Sequence, residues 1–135
     1  VPAEFRYQRR VQFAETDLAG IVHFSWYFRY MEEAEHALWR ALGLKIAPDG
    51  EPVGYPRVAA SCDFKAPLKF EDEFEVHVRV ETVGRRSLRY AFTLTRGEVV
   101  LATGSMTAVC VEKHPGVPVR SVELPAVVVA RLRVP

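Results

Sequence analysis

The chain has 135 residues, a net charge of +1, 49% hydrophobic residues and 26% charged ones. That length suits a single domain, residues 1–135, with a core of its own; the near-neutral charge creates no long-range field for nucleic acid or an anionic membrane. No uninterrupted apolar run reaches the roughly 18 residues of a membrane helix, so membrane and nucleic-acid partners are not expected.

From Phe5 to Phe13 apolar and polar residues alternate, with Phe5, Tyr7, Val11 and Phe13 on one face, which predicts a half-buried strand. Arg9 interrupts that face and is expected near a sheet edge. A junction follows from Glu15 to Phe24. From about Ser25 to Leu42 the period becomes helical: Tyr27, Met31, Ala34, Leu38 and Ala41 form one stripe. Ser25 is placed to cap the helix start, and Gly43 to follow its end. Trp26, Phe28, Tyr30 and Trp39 add more apolar bulk than one sheet covers, so the helix is expected to be wrapped on more than one side.

After a loop at residues 47–52, strands are predicted at 57–64, 73–81 and 88–94. The turn residues Arg96-Gly97 lead into a long run from Glu98 to Val111. Short turns between consecutive strands imply antiparallel pairing. The tail from Pro115 reads as loop, closing with a short helix from Pro125. One strand, one long helix and four further strands define an α+β domain, a sheet of about five strands curled around the helix. The N-terminal residues Val1-Pro2-Ala3-Glu4 lack a signal-peptide core, and Cys62 and Cys110 lie in separate strand-like runs. Two buried thiols in a cytoplasmic protein are therefore expected.

The junction carries the chemistry-bearing residues. Asp17-x-x-Gly20 alone reads as a turn in which the carboxylate bonds the backbone two residues on. Its place just ahead of a helix start also sets a carboxylate beside backbone N–H groups that lack intrahelical partners. Glu15 reads as a surface residue at a strand end, and Thr16 as a local hydrogen-bond donor. His23 is the histidine nearest the acidic pair and could orient Asp17 or bond a substrate carbonyl. On the helix, Glu32, Glu33 and Glu35 form a rival carboxylate set, or else solvated charges paired with Arg29 and Arg40. Arg85 and Arg86 form a basic turn beside Ser87, and Lys65 and Lys69 flank Pro67. The four histidines and two cysteines have no metal-ligand spacing, and no Gly-x-Ser-x-Gly elbow or glycine-rich phosphate loop is present.

Asp17-x-x-Gly20-x-Val22, followed by Tyr27 and Glu32, resembles the signature of hotdog-fold acyl-CoA thioesterases of the 4-hydroxybenzoyl-CoA thioesterase type. The likeness continues through Phe64-x-x-Pro67, Phe70-x-Asp72 and Gly84-x-x-Ser87. It implies a hotdog fold, in a homodimer or homotetramer, that hydrolyses a small or medium acyl- or aroyl-CoA thioester to the carboxylic acid and free CoA. Asp17 would be nucleophile or general base, the Phe24 N–H would face the thioester oxygen, and His23 would support them. Tyr27, Lys65, Arg85, Arg86 and Ser87 would contact the substrate or its CoA phosphates, and no cofactor or metal would be needed. Two alternatives remain within the fold: a non-catalytic module binding acyl-CoA or acyl carrier protein, and an enzyme using a helix glutamate.

Overall fold

In the computed structural model, which describes residues 3–133, the chain runs β1 (Glu4–Arg10), α1 (Trp26–Ala41), β2 (Val53–Gly54), β3 (Arg57–Phe64), β4 (Glu73–Val83), β5 (Ser87–Arg96), β6 (Val99–Val109), β7 (Val111–His114), β8 (Val117–Ser121) and α2 (Ala126–Leu132). The main sheet has the order β1-β4-β5-β6-β3, with every pair antiparallel. A smaller sheet has the order β2-β7-β8.

Period-two alternation decides which face of the main sheet is dry. Phe74, Val76, Val78 and Val80 of β4, and Leu88, Tyr90, Phe92 and Leu94 of β5, are all buried. They join Tyr27, Tyr30, Met31, Ala34 and Leu38 of α1 in one core. Each of the Val, Leu, Phe and Met side chains contributes about 1.5–3 kcal/mol on burial. Gly104 of β6 lets the helix settle this close. A Cβ there would collide with Met31 Cε and lie 2.7 Å from the Ser61 carbonyl oxygen. The helix ends as its sequence predicts: Gly43 has φ +70°, its N–H donates to Arg40 O, and the Leu44 N–H donates to Trp39 O at 2.8 Å.

The structure departs from the sequence reading in several places. β1 stops at Arg10 rather than Phe13. The Val11 N–H donates to Asp72 O, Val11 fills the core, and a 3-10 turn at Phe13–Glu15 leaves Phe13 exposed. Ala41 is exposed, because the stripe drifts off the core side in the last turn. The long run expected from Glu98 to Val111 is split at Cys110, whose N–H donates to Arg86 O and whose carbonyl accepts from Val122. Apolar alternation continues across that point, so it does not reveal the change of partner. The tail is not plain loop, since β8 pairs with β7 through a turn in which Gly116 has φ +74°. All five β8 residues are exposed, so no burial pattern marks them. Both cysteines are free, Cys110 buried and Cys62 half-buried.

β6 is an interior strand, flanked by β5 and β3. The edges are β1 and β3, and on β3 Val58 is 61% and Phe64 50% exposed. Among the described residues no helix is long and apolar enough to cross a membrane.

Candidate active site

Between β1 and α1 the chain folds back on itself. The Asp17 N–H donates to Ile21 O at 2.9 Å, Thr16 and Val22 form an antiparallel bridge, and the His23 N–H donates to Glu15 O at 2.8 Å. Gly20 closes the turn with φ +79°, a conformation that L side chains rarely adopt. Within it, Asp17 Oδ1 accepts the Ala19 N–H at 2.8 Å. The turn reading of Asp17 is therefore correct. Among the described residues, however, Oδ2 carries no hydrogen bond, and Asp17 lines a cavity.

That cavity, of about 530 Å³, falls within the range of small-molecule sites. Ile21, Phe24, Tyr27 and Phe64 supply apolar wall, and Lys65 supplies a cation. The Tyr27 and Phe64 rings meet edge to face with centroids 4.8 Å apart. Burial pushes the Tyr27 hydroxyl above the usual phenol range, so it stays protonated at neutral pH. Phe24 sits one residue before the helix cap. Its N–H has no hydrogen-bond acceptor among the described residues. Asp17, with its carboxylate, and Phe24, whose N–H has no acceptor among the described residues, thus line the same apolar space, the pairing of groups that a reaction building negative charge on an oxygen requires.

His23 does not line the cavity. Its Nδ1 lies 2.8 Å from Ser25 Oγ and accepts the Ser25 N–H at 3.3 Å. Ser25 makes no side-chain cap bond of its own. The capping expected of Ser25 is supplied in part by His23 instead.

Glu15 corrects the sequence reading most directly, for it is buried at 2% exposure. It accepts from Arg9 Nη2 at 2.6 Å, the Tyr30 hydroxyl at 2.6 Å and the Gln12 N–H at 3.0 Å. Burial raises the Glu15 carboxyl, but these donors outweigh it and hold it below the ordinary glutamate range. Arg9 continues the Phe5–Tyr7 face of β1, and its Nε donates to Glu33 at 2.8 Å. β1 is an edge strand, as Arg9 suggested. An arginine interrupting an apolar face was also the available sign of a buried carboxylate partner.

Glu32 is the solvated charge expected, 48% exposed and 3.7 Å from Arg57 Nη2, but among the described residues no helix glutamate pairs with Arg29 or Arg40. Glu33 is held by Arg9 and Tyr7, and Glu35, 1% exposed, by Arg57. Neither these two nor Glu32 lines the cavity. Arg85, Arg86 and Ser87 lie far from it within one chain. Phe64 pairs with Ala102 and Ala102 with Leu94, whereas Ser87 pairs with Val109 at the opposite end of β5. At ~3.3 Å per residue the two ends are roughly 23 Å apart. Arg85 donates to Glu123 and Arg86 to Ser121. Ile21 and Phe64, which the sequence reading did not assign to the site, line it because the turn and the end of β3 converge there.

A family model described as thioesterase-like superfamily matches residues 11–132. The chain belongs to this thioesterase-like superfamily. An Aquifex aeolicus protein, whose own esterase assignment is provisional, is 38% identical over 112 residues, covering 82% of this chain and 86% of that protein. The 1,4-dihydroxy-2-naphthoyl-CoA hydrolase of Synechococcus elongatus is 29% identical over 115 residues, covering 83% and 85%. The solved structure of a gentisyl-coenzyme A thioesterase superposes with TM-score 0.85 at 28% identity, over 95% of this chain and 99% of that one. This thioesterase therefore has the expected α+β hotdog fold, and thioester hydrolysis is its class of reaction.

Proposed function

We propose that the protein hydrolyses a small to medium acyl- or aroyl-CoA thioester, with Asp17 as the reacting carboxylate and the Phe24 N–H as oxyanion donor. The observation that carries this is their shared border on one apolar cavity. Thioester carbonyls have weak resonance stabilisation, so a carboxylate and a backbone donor are chemically sufficient, with no cofactor. Asp17 Oδ2 can attack the carbonyl carbon, expel CoA thiolate and form an anhydride that water then cleaves. Alternatively it takes the proton from a water that attacks instead. A single turnover in ¹⁸O-water separates the two: only the anhydride route can leave label in the Asp17 carboxylate. The aromatic wall at Tyr27 and Phe64 suits an aryl acyl group, as do relatives named for dihydroxynaphthoyl- and gentisyl-CoA.

A homodimer through β3 completes the reading, since that edge is unpaired in one chain and exposes apolar Val58. A second copy is also what would bring Arg85 and Arg86 to the CoA phosphates of a cavity they cannot reach in their own chain.

Asp17→Asn tests the assignment. Asparagine preserves the Ala19 bond, so the fold stays intact, while the anionic oxygen is lost and kcat collapses with CoA binding retained. Turnover within a factor of about three of wild type, under 1 kcal/mol of barrier, removes Asp17 from the mechanism. Tight acyl-CoA binding by the wild type with no turnover of any acyl-CoA supports a binding module instead.

A further inference from the structure

We propose that Glu15, which does not touch the cavity, is the positioning residue of this active site, fixing the separation between the Asp17 carboxylate and the Phe24 N–H. The inference rests on the roles given to Asp17 and Phe24 above. Those groups sit on two short segments, 15–17 and 21–24, joined by the Asp17–Ile21 bond, the Thr16–Val22 bridge and the His23–Glu15 bond. The last of these uses the Glu15 carbonyl and lies next to Phe24. Whatever fixes Glu15 therefore fixes both segments.

Its side chain is fixed from three directions. Arg9 reaches it from β1, Tyr30 from α1 and the Gln12 N–H from the 3-10 turn. Arg9 is itself oriented by Glu33 and lies 5.1 Å from the Tyr30 ring centroid. Sheet, helix and catalytic turn meet at one carboxylate. Stability alone is a poor reason for this arrangement. Desolvating two charges costs several kcal/mol, and a well-packed apolar residue in such a place is often as stabilising or more so. An apolar residue, however, would not dictate where the turn sits. Three directed bonds do, and a displacement of about 1 Å at a reacting group can cost about 100-fold in rate.

The experiment is a double-mutant cycle on the full chain, assayed with one acyl-CoA that the wild type turns over. Glu15→Gln leaves Arg9 facing an amide in place of a charge. It is expected to lower kcat about 10- to 100-fold with KM within about twofold. Tyr30→Phe removes one bond, keeps the ring in the core, and is expected to give a smaller loss of the same kind. In the Asp17→Asn background Glu15→Gln is expected to change the residual rate by less than about twofold, because no reacting carboxylate remains to be placed. Equal losses in both backgrounds overturn positioning in favour of a purely structural role. Near-wild-type kcat in both Glu15→Gln and Tyr30→Phe, with Asp17→Asn inactive, overturns this inference and spares the Asp17 assignment. An active Asp17→Asn overturns both. If Glu15→Gln fails to fold, the same cycle run with Tyr30→Phe decides.

Discussion

Arg57 Nη1 donates to Glu35 Oε2 at 3.0 Å, and Nη2 closes the same fork on Oε1. The edge strand β3 is thereby fastened to the core helix by a pair of which the acid is 1% and the arginine 24% exposed. Removing one partner strands the other, which costs about 3–5 kcal/mol, whereas replacing both with apolar residues costs much less. Arg57→Ala is expected to lower the unfolding free energy by about 3 kcal/mol in urea titrations, and Glu35→Met with Arg57→Met by less. Equal losses would mean that the pair contributes through packing alone.

The same edge carries the proposed dimer. Val58 is 61% exposed in one chain, so Val58→Asp disturbs no core. Light scattering is expected to show the wild type as a dimer at micromolar concentration and Val58→Asp as mostly monomer, with activity reduced. A variant that remains dimeric moves the contact to another surface.

Arg85 and Arg86 are expected to govern CoA affinity rather than chemistry. A rim cation holds a phosphate equally in ground and transition states, so Arg85→Ala with Arg86→Ala raises KM at nearly constant kcat, and added salt narrows the difference. The bond between Arg85 and Glu123, 2.6 Å long, joins two exposed side chains. Exposed pairs of this kind are weak. Glu123→Gln therefore frees the guanidinium and is expected to lower KM, and a raised KM would place the phosphates elsewhere.

Acid stability has a definite sign at Glu15. Its carboxyl is depressed below 4.5 in the folded chain, so its favourable contribution is complete above 4.5 and fades as pH falls through the lower folded value. The stability difference between wild type and Glu15→Gln is accordingly largest near neutrality and shrinks on acidification. Urea unfolding at a series of pH values checks this, and a gap that widens in acid would contradict the dominance of the Arg9, Tyr30 and Gln12 donors over burial.

The elements facing the core were legible because their periodicity reports one dry side: α1, β4 and β5 appear at nearly the expected places. The motif around Asp17 and Gly20 also located the cavity. Illegible features were those whose partners no local pattern marks. Glu15 looks like any charged residue at a strand end until Arg9 and Tyr30 converge on it. Cys110 continues the apolar rhythm of β6 while its backbone changes partners, and β8 is a strand without a buried face. Within one chain Arg85 and Arg86, expected to contact CoA, lie at the end of β5 away from the cavity, and local motifs carry no information about which end of a sheet a turn occupies.

The bond between Asp17 Oδ1 and the Ala19 N–H has a consequence for substrate range. It freezes the carboxylate's torsion when the chain folds, before any acyl group arrives, so the ordering entropy of that side chain does not fall on the substrate. In the proposed mechanism every acyl group would then meet an oxygen already aimed. On that proposal, discrimination between acyl groups would pass to the wall that Tyr27 and Phe64 line. Evolution of a new preference in this scaffold would accordingly begin with exchanges at Tyr27 and Phe64, leaving the turn at Asp17 as it stands.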